Sequence, residues 1–323
     1  MTVSKSYQQV SFSAHGTRCD AWYFAGAPDS PFDGDAGRPV AVMAHGFGGT
    51  KDSGLEPFAQ RLAAAGVAVF AFDYRGFGTS AGEPRQRVSM TEQADDYRAA
   101  LTAAAAQPGV DPNRLVTWGI SLSGGHALTV ASERADVCAV VTVVPLVNGL
   151  AAGRTAFAQV GAAAIARSTV TSVRSAVASR FGGRPVMMPL VGRPGEQAAL
   201  TADGYYESYT SLAGPSWRNE VDSAIGLELG GYRADRRSAQ ITAPVLMQIA
   251  DFDRAAPPHA AVKAGFAARA EVRHYPCDHF DVFAGSEWFD AVVDHQVHFL
   301  TRHLGGTHDG AVTGSQSNPA GAR

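Results

Sequence analysis

Residues 7–24 alternate apolar and polar positions on either side of His15-Gly16-Thr17, the pattern of two short strands joined by a turn. A Gly, Pro and Asp-rich loop, residues 28–39, follows this expected antiparallel hairpin. The period then changes. Short, unbroken apolar runs at residues 40–44, 67–72, 115–119 and 137–144 are separated by longer helical patterns at 55–65, 91–106 and 124–134. Continuous apolar strands alternating with helices predict a mostly parallel, doubly wound α/β sheet covered on both faces.

The alternation stops at Pro145 and resumes with a strand at residues 244–249, a helix at 259–270, a strand at 271–275 and a last helix at 287–304. The gap of roughly 95 residues is too long for a bare loop in a compact domain. Within it, residues 151–179 are Ala-rich but interrupted by Arg154, Arg167 and Arg174, which predicts a helix exposed to water rather than a membrane span. The chain is therefore read as a core, residues 1–145 and 241–304, with an inserted helical cap at 146–240. Residues 305–323 carry no large apolar side chains and are expected to be a disordered tail.

Composition narrows the function. Of 323 residues, 46% are apolar and 18% charged, enough to build a large core, and the net charge of −3 provides no footprint for nucleic acid. No run of Lys or Arg suggests an anionic membrane surface, and no stretch has the length of a spanning helix. Cys19, Cys138 and Cys277 fit neither a disulfide framework nor a zinc spacing. With no apolar signal segment after Met1, a cytoplasmic location and a small, weakly charged ligand are expected.

The chemistry concentrates at the ends of the predicted strands. Trp118-Gly119-Ile120-Ser121-Leu122-Ser123-Gly124-Gly125 places Ser121 between a strand and a helix, where a sharp turn demands small neighbours. The last position of G-x-S-x-G is Ser123 here, so two serines compete for the elbow; Ser121, at the strand end, is the candidate nucleophile. A serine hydroxyl needs a base, itself oriented by a carboxylate. His279 lies between the last strand and the last helix and follows the chain order Ser, acid, His. For the acid, the loop after residues 244–249 offers Asp253, further into the turn, and Asp251 as the alternative. His45-Gly46-Phe47-Gly48-Gly49 follows the first parallel strand, and the N–H groups of Phe47 and Leu122 are the candidate oxyanion hole.

These segments, with Asp73-Tyr74-Arg75-Gly76-Phe77-Gly78-Thr79-Ser80 and Asp278-His279-Phe280-Asp281, together resemble the α/β-hydrolase superfamily over residues 10–304 apart from the cap. Lys51-Asp52-Ser53-Gly54-Leu55-Glu56-Pro57-Phe58 and Gly82-Glu83-Pro84-Arg85-Gln86 further resemble the branch of X-prolyl-dipeptidyl-peptidase-like hydrolases and fungal polyketide transferases. The resemblance implies a Ser-His-Asp acyl-enzyme mechanism with no metal or organic cofactor, and makes the Asp73–Gly76 turn structural. Members differ in whether water, an alcohol or an amine accepts the acyl group. The expected function is hydrolysis of a carboxylic ester of small to medium size, with acyl transfer or amide cleavage by the same triad as the alternative. Tyr205, Tyr206, Tyr209 and Trp217 are expected to pack the cap or line an acyl pocket, Asp95 and Asp96 to lie on a solvated or ion-paired helix face, and Cys277 to be a small packing residue.

Overall fold

The computed structural model describes residues 6–305. The opening hairpin is β1 (Gln8–Ala14) and β2 (Thr17–Phe24), paired antiparallel about the positive-φ residues His15 and Gly16. The alternating part runs β3 (Arg38–Ala44), α1 (Glu56–Ala64), β4 (Ala68–Phe72), α2 (Met90–Ala105), β5 (Val110–Ile120), α3 (Leu122–Ala131) and β6 (Val137–Val143). Between β6 and the next sheet strand lie α4 (Gly149–Arg180), the two-residue pair β7 (Met187–Met188) and β8 (Val221–Asp222), α5 (Tyr205–Leu212), α6 (Ile225–Gly231) and a 3₁₀ turn, Ala234–Gln240. The chain then completes the sheet with β9 (Val245–Ala250), α7 (Pro258–Ala267), β10 (Glu271–Tyr275) and α8 (Phe289–Leu304).

The eight long strands form one sheet in the order β1-β2-β4-β3-β5-β6-β9-β10, parallel from β4 to β10. Alternation within each strand feeds two cores. Along β3, Val40, Val42 and Ala44 join Phe70, Phe72, Tyr97 and Leu128 on one face, whereas Ala41 and Met43 join Phe58, Trp118, Val141 and Phe299 on the other. Helices α2, α3 and α7 thus cover one face and α1 and α8 the other, as strands buried on both sides require. This is the doubly wound α/β-hydrolase fold.

Three findings refine the reading from sequence. The helix expected at residues 124–134 starts at Leu122, directly after Ser121. The Ala-rich helix is broken at Gly161, whose φ of 77° and ψ of 171° no helix accommodates, so α4 is two arms joined at a kink. Of the two expected settings for Asp96, the structure shows the ion-paired one, wholly buried: Arg75 Nε donates to its Oδ1 at 2.6 Å and the Arg75 N–H to its Oδ2 at 3.0 Å. Residues 306–323, most of the expected tail, lie outside the described residues.

Candidate active site

Ser121 stands at the C-terminal end of β5 with φ 56° and ψ −120°, a conformation that costs a non-glycine residue of order 1–3 kcal/mol. Its backbone is held from both sides, the N–H donating to the Val143 carbonyl at 2.9 Å and the carbonyl accepting from Leu146 N–H at 2.9 Å. The turn is possible only because Gly119 lacks a side chain: a Cβ there would stand 2.0 Å from the Ser123 carbonyl oxygen. Gly46 is constrained in the same way, since its Cβ would approach Ser121 Cβ to 2.9 Å. The 45–49 loop is therefore seated directly against Ser121.

The two serines have different surroundings. Ser123 Oγ donates to the His45 carbonyl and so accepts from Tyr74 OH at 2.8 Å, which ties the elbow to the loop after β3. His45 is buried, its Nδ1–H donating to the Gly46 carbonyl at 3.0 Å, and burial holds its pKa below the ordinary value. His126, behind the elbow, donates through Nε2 to Gln93 Oε1 and accepts from Tyr232 OH at Nδ1, both at 3.1 Å; burial pushes its pKa down to about 3, so it stays neutral.

His279 follows β10 and Asp253 follows β9, the adjacent parallel strand. His279 Nδ1 donates to Asp253 Oδ2 at 2.7 Å, and both side chains are buried. The other Asp253 oxygen accepts the N–H groups of Ala255 and Ala256 at 2.7 and 2.6 Å. Asp251 points elsewhere, its Oδ1 lying 2.6 Å from His274 Nδ1 at an exposed position. Burial opposes the His279 imidazolium, but the charge and hydrogen bond of Asp253, with the charge of Asp278, outweigh it and raise its pKa.

Asp278 enters the sequence reading only as part of the histidine motif, and Arg254 has no role in it. Arg254 Nε donates to Asp278 Oδ2 at 2.6 Å, while Asp278 Oδ1 accepts the N–H groups of Arg254 and His279 at 3.0 and 2.8 Å and Tyr205 OH at 2.9 Å. The loops carrying Asp253 and His279 are thereby stapled together. The aspartate next to the candidate histidine was the available signal; its arginine partner, 24 residues away, was not. Tyr209 on α5 donates to the Phe47 carbonyl at 2.7 Å and packs its ring 5.4 Å from Phe280, so one side chain touches both the candidate oxyanion loop and the histidine loop. Leu190 is buried against Gly48. Cys277 is buried and its thiol is pushed up to about 12, which leaves it inert. Among the described residues, no group of three or more His, Cys, Asp or Glu side chains is placed to hold a metal ion.

A family model described as "Serine aminopeptidase, S33" matches residues 36–279, a span that includes the 45–49 loop, the elbow and both members of the Asp253–His279 pair. The chain belongs to this hydrolase family. It is 32% identical over 310 residues, 93% of this chain and 96% of the relative, to the quorum-quenching protein AidA of Acinetobacter baumannii. It is 28% identical to polyketide transferase af380 of Aspergillus fumigatus over 84% of this chain and 92% of that one. The solved structure of DcsB in complex with its substrate analogue superposes with a TM-score of 0.76 at 21% identity, covering 93% of this chain and all (100%) of DcsB. No helix among the described residues is long and apolar enough to cross a membrane.

Proposed function

We propose that this family member is a serine hydrolase that cleaves a carboxylic ester of small to medium size through an acyl-enzyme on Ser121. The observation that carries the reading is the buried Asp253–His279 pair at the same sheet edge as a strained serine elbow. A carboxylate on Nδ1 fixes the tautomer in which Nε2 is free to take a proton. In the proposed reaction, His279 Nε2 takes the Ser121 proton as Oγ attacks the carbonyl carbon. Asp253 stabilises the imidazolium, and the N–H groups of Phe47 and Leu122 receive the oxyanion. The imidazolium then protonates the departing alcohol. Water, deprotonated by His279, releases the acid and regenerates Ser121.

Residues 146–240 act in this reading as the cap that encloses the acyl group. The Tyr209 contact with the Phe47 carbonyl and the seating of Leu190 on Gly48 support it. Labelling with a fluorophosphonate probe, together with turnover of activated esters, tests the proposal. Ser121→Ala is expected to abolish labelling and lower ester turnover by about 10⁴ or more while the protein stays folded. An unimpaired variant overturns it. The panel should hold esters, thioesters, amides and lactones, because the triad handles only the carbonyl shared by all of them.

Similarity to a protein named as a polyketide transferase favours a second reading, in which the acyl-enzyme passes its acyl group to an alcohol or amine. Added acceptors separate the two. Under hydrolysis they leave the yield of free acid unchanged; under transfer they divert it.

A further inference from the structure

The second arm of α4 is inverted for a helix packed on a protein core. Its inward face beyond Gly161 carries Ser172 and Ser175, both buried. Ser175 Oγ donates to Asp222 Oδ1 at 2.6 Å and accepts Val186 N–H at 2.8 Å, while Ser172 Oγ donates to the Ser168 carbonyl at 2.9 Å. The outward face carries Val170, Val173, Val177 and Phe181, which are 60, 45, 51 and 85% exposed. Spacings of three and four residues align them in one stripe about 16 Å long. On the first arm, Leu150 and Phe157 are half exposed. Together with Ile165 and Leu229 they line a cavity of about 420 Å³ between the arms and α6. A contiguous apolar surface of this kind marks a face that something covers.

Charge identifies the cover. Residues 137–192 contain no Asp or Glu and five cations, Arg154, Arg167, Arg174, Arg180 and Arg184, in a chain whose net charge is −3. All five are exposed, and none has an ion-pair partner among the described residues, although 15 of the other arginines and lysines do. In helical projection Arg167 and Arg174 border the valine stripe on one side and Arg180 on the other. A second copy packed α4 against α4 would set arginine against arginine with no acid on α4 to relieve it. An anionic lipid surface satisfies both features: its phosphates take the guanidinium groups and its acyl boundary takes Val and Phe. The arginines are spaced four to thirteen residues apart, so a search of the sequence for basic runs passes over them.

We propose that α4 is an interfacial helix that docks the protein on an anionic phospholipid bilayer through Val170, Val173, Val177 and Phe181. The full chain is co-sedimented with vesicles of phosphatidylcholine alone and of phosphatidylcholine mixed with phosphatidylglycerol. Binding is expected to the anionic vesicles and to weaken at high salt. Arg174→Gln and Arg180→Gln should each weaken it by about fivefold. The double variant Val173→Asp/Val177→Asp should lose binding but keep the parent's melting temperature and its turnover of a soluble acetyl ester. Equal binding to both vesicle types, or to neither, overturns the proposal. So does sedimentation equilibrium showing a dimer that Val173→Asp/Val177→Asp dissociates in a chain that ignores vesicles.

Discussion

In the proposed reaction His279 must be neutral to accept a proton, and its neighbours favour the charged form. Burial alone would lower its pKa, yet Asp253 and Asp278 reverse the sign. The acid limb of kcat/KM, which reports the free enzyme's base, should therefore fall above the ordinary histidine value near 6.5. Asp278→Asn removes a negative charge but keeps an acceptor for Tyr205 OH and the His279 N–H, so the limb should move to lower pH; a pH–rate profile that stays in place contradicts this. The two serines of the elbow separate at the same scale. Ser123→Ala removes the bond to the His45 carbonyl and leaves Tyr74 OH without its acceptor, a loss of about 1–3 kcal/mol in denaturant unfolding. Labelling of Ser121 by the fluorophosphonate should survive that change.

At the scale of elements, the segments around the site are held by polar contacts between residues distant in sequence. Lys51, in the loop after β3, is buried, with Nζ 2.6 Å from Asp73 Oδ2, 2.9 Å from Asp20 Oδ1 and 2.7 Å from Thr79 Oγ1. One ammonium thus joins β2, the end of β4 and the 73–80 turn. Lys51→Met would leave two buried carboxylates facing each other, and breaking such a cluster from one side costs about 3–5 kcal/mol. A large drop in melting temperature is expected, and an unchanged one refutes the role. This cluster also illustrates what sequence conceals. The strands were legible because β3, β4 and β6 are continuous apolar runs, and Ser121 because Gly119 and Ser123 mark a tight turn. The motif containing Asp73 was recognisable as structural, but not the partner of its carboxylate, since Lys51 lies 22 residues away and carries no periodic signal. The kink of α4 was hidden for another reason: Gly161 sits in an Ala-rich segment whose composition reads as helix on both sides.

Across the whole molecule, the proposed reaction divides the work of recognition between the sheet edge and the segment inserted after β6. Ser121, Asp253 and His279 come from the ends of β5, β9 and β10, and in the proposed reaction they would act only on the carbonyl that all acyl substrates share. Under that proposal, selection among acyl groups would fall to the inserted segment. Tyr209 reaches both the Phe47 loop and Phe280, and Trp217 packs edge-on against Tyr209 with ring centres 5.3 Å apart. Tyr206 is partly buried, with the Arg193 guanidinium 4.2 Å from its ring centre. Trp217→Ala should therefore alter the enclosure near the ester through Tyr209. Over a series of nitrophenyl esters of increasing chain length, Trp217→Ala is expected to change relative kcat/KM by about tenfold or more, with the acetyl ester least affected. A uniform loss along the series, matched by a fall in melting temperature, would assign Trp217 to holding α5 in place rather than to shaping the acyl site.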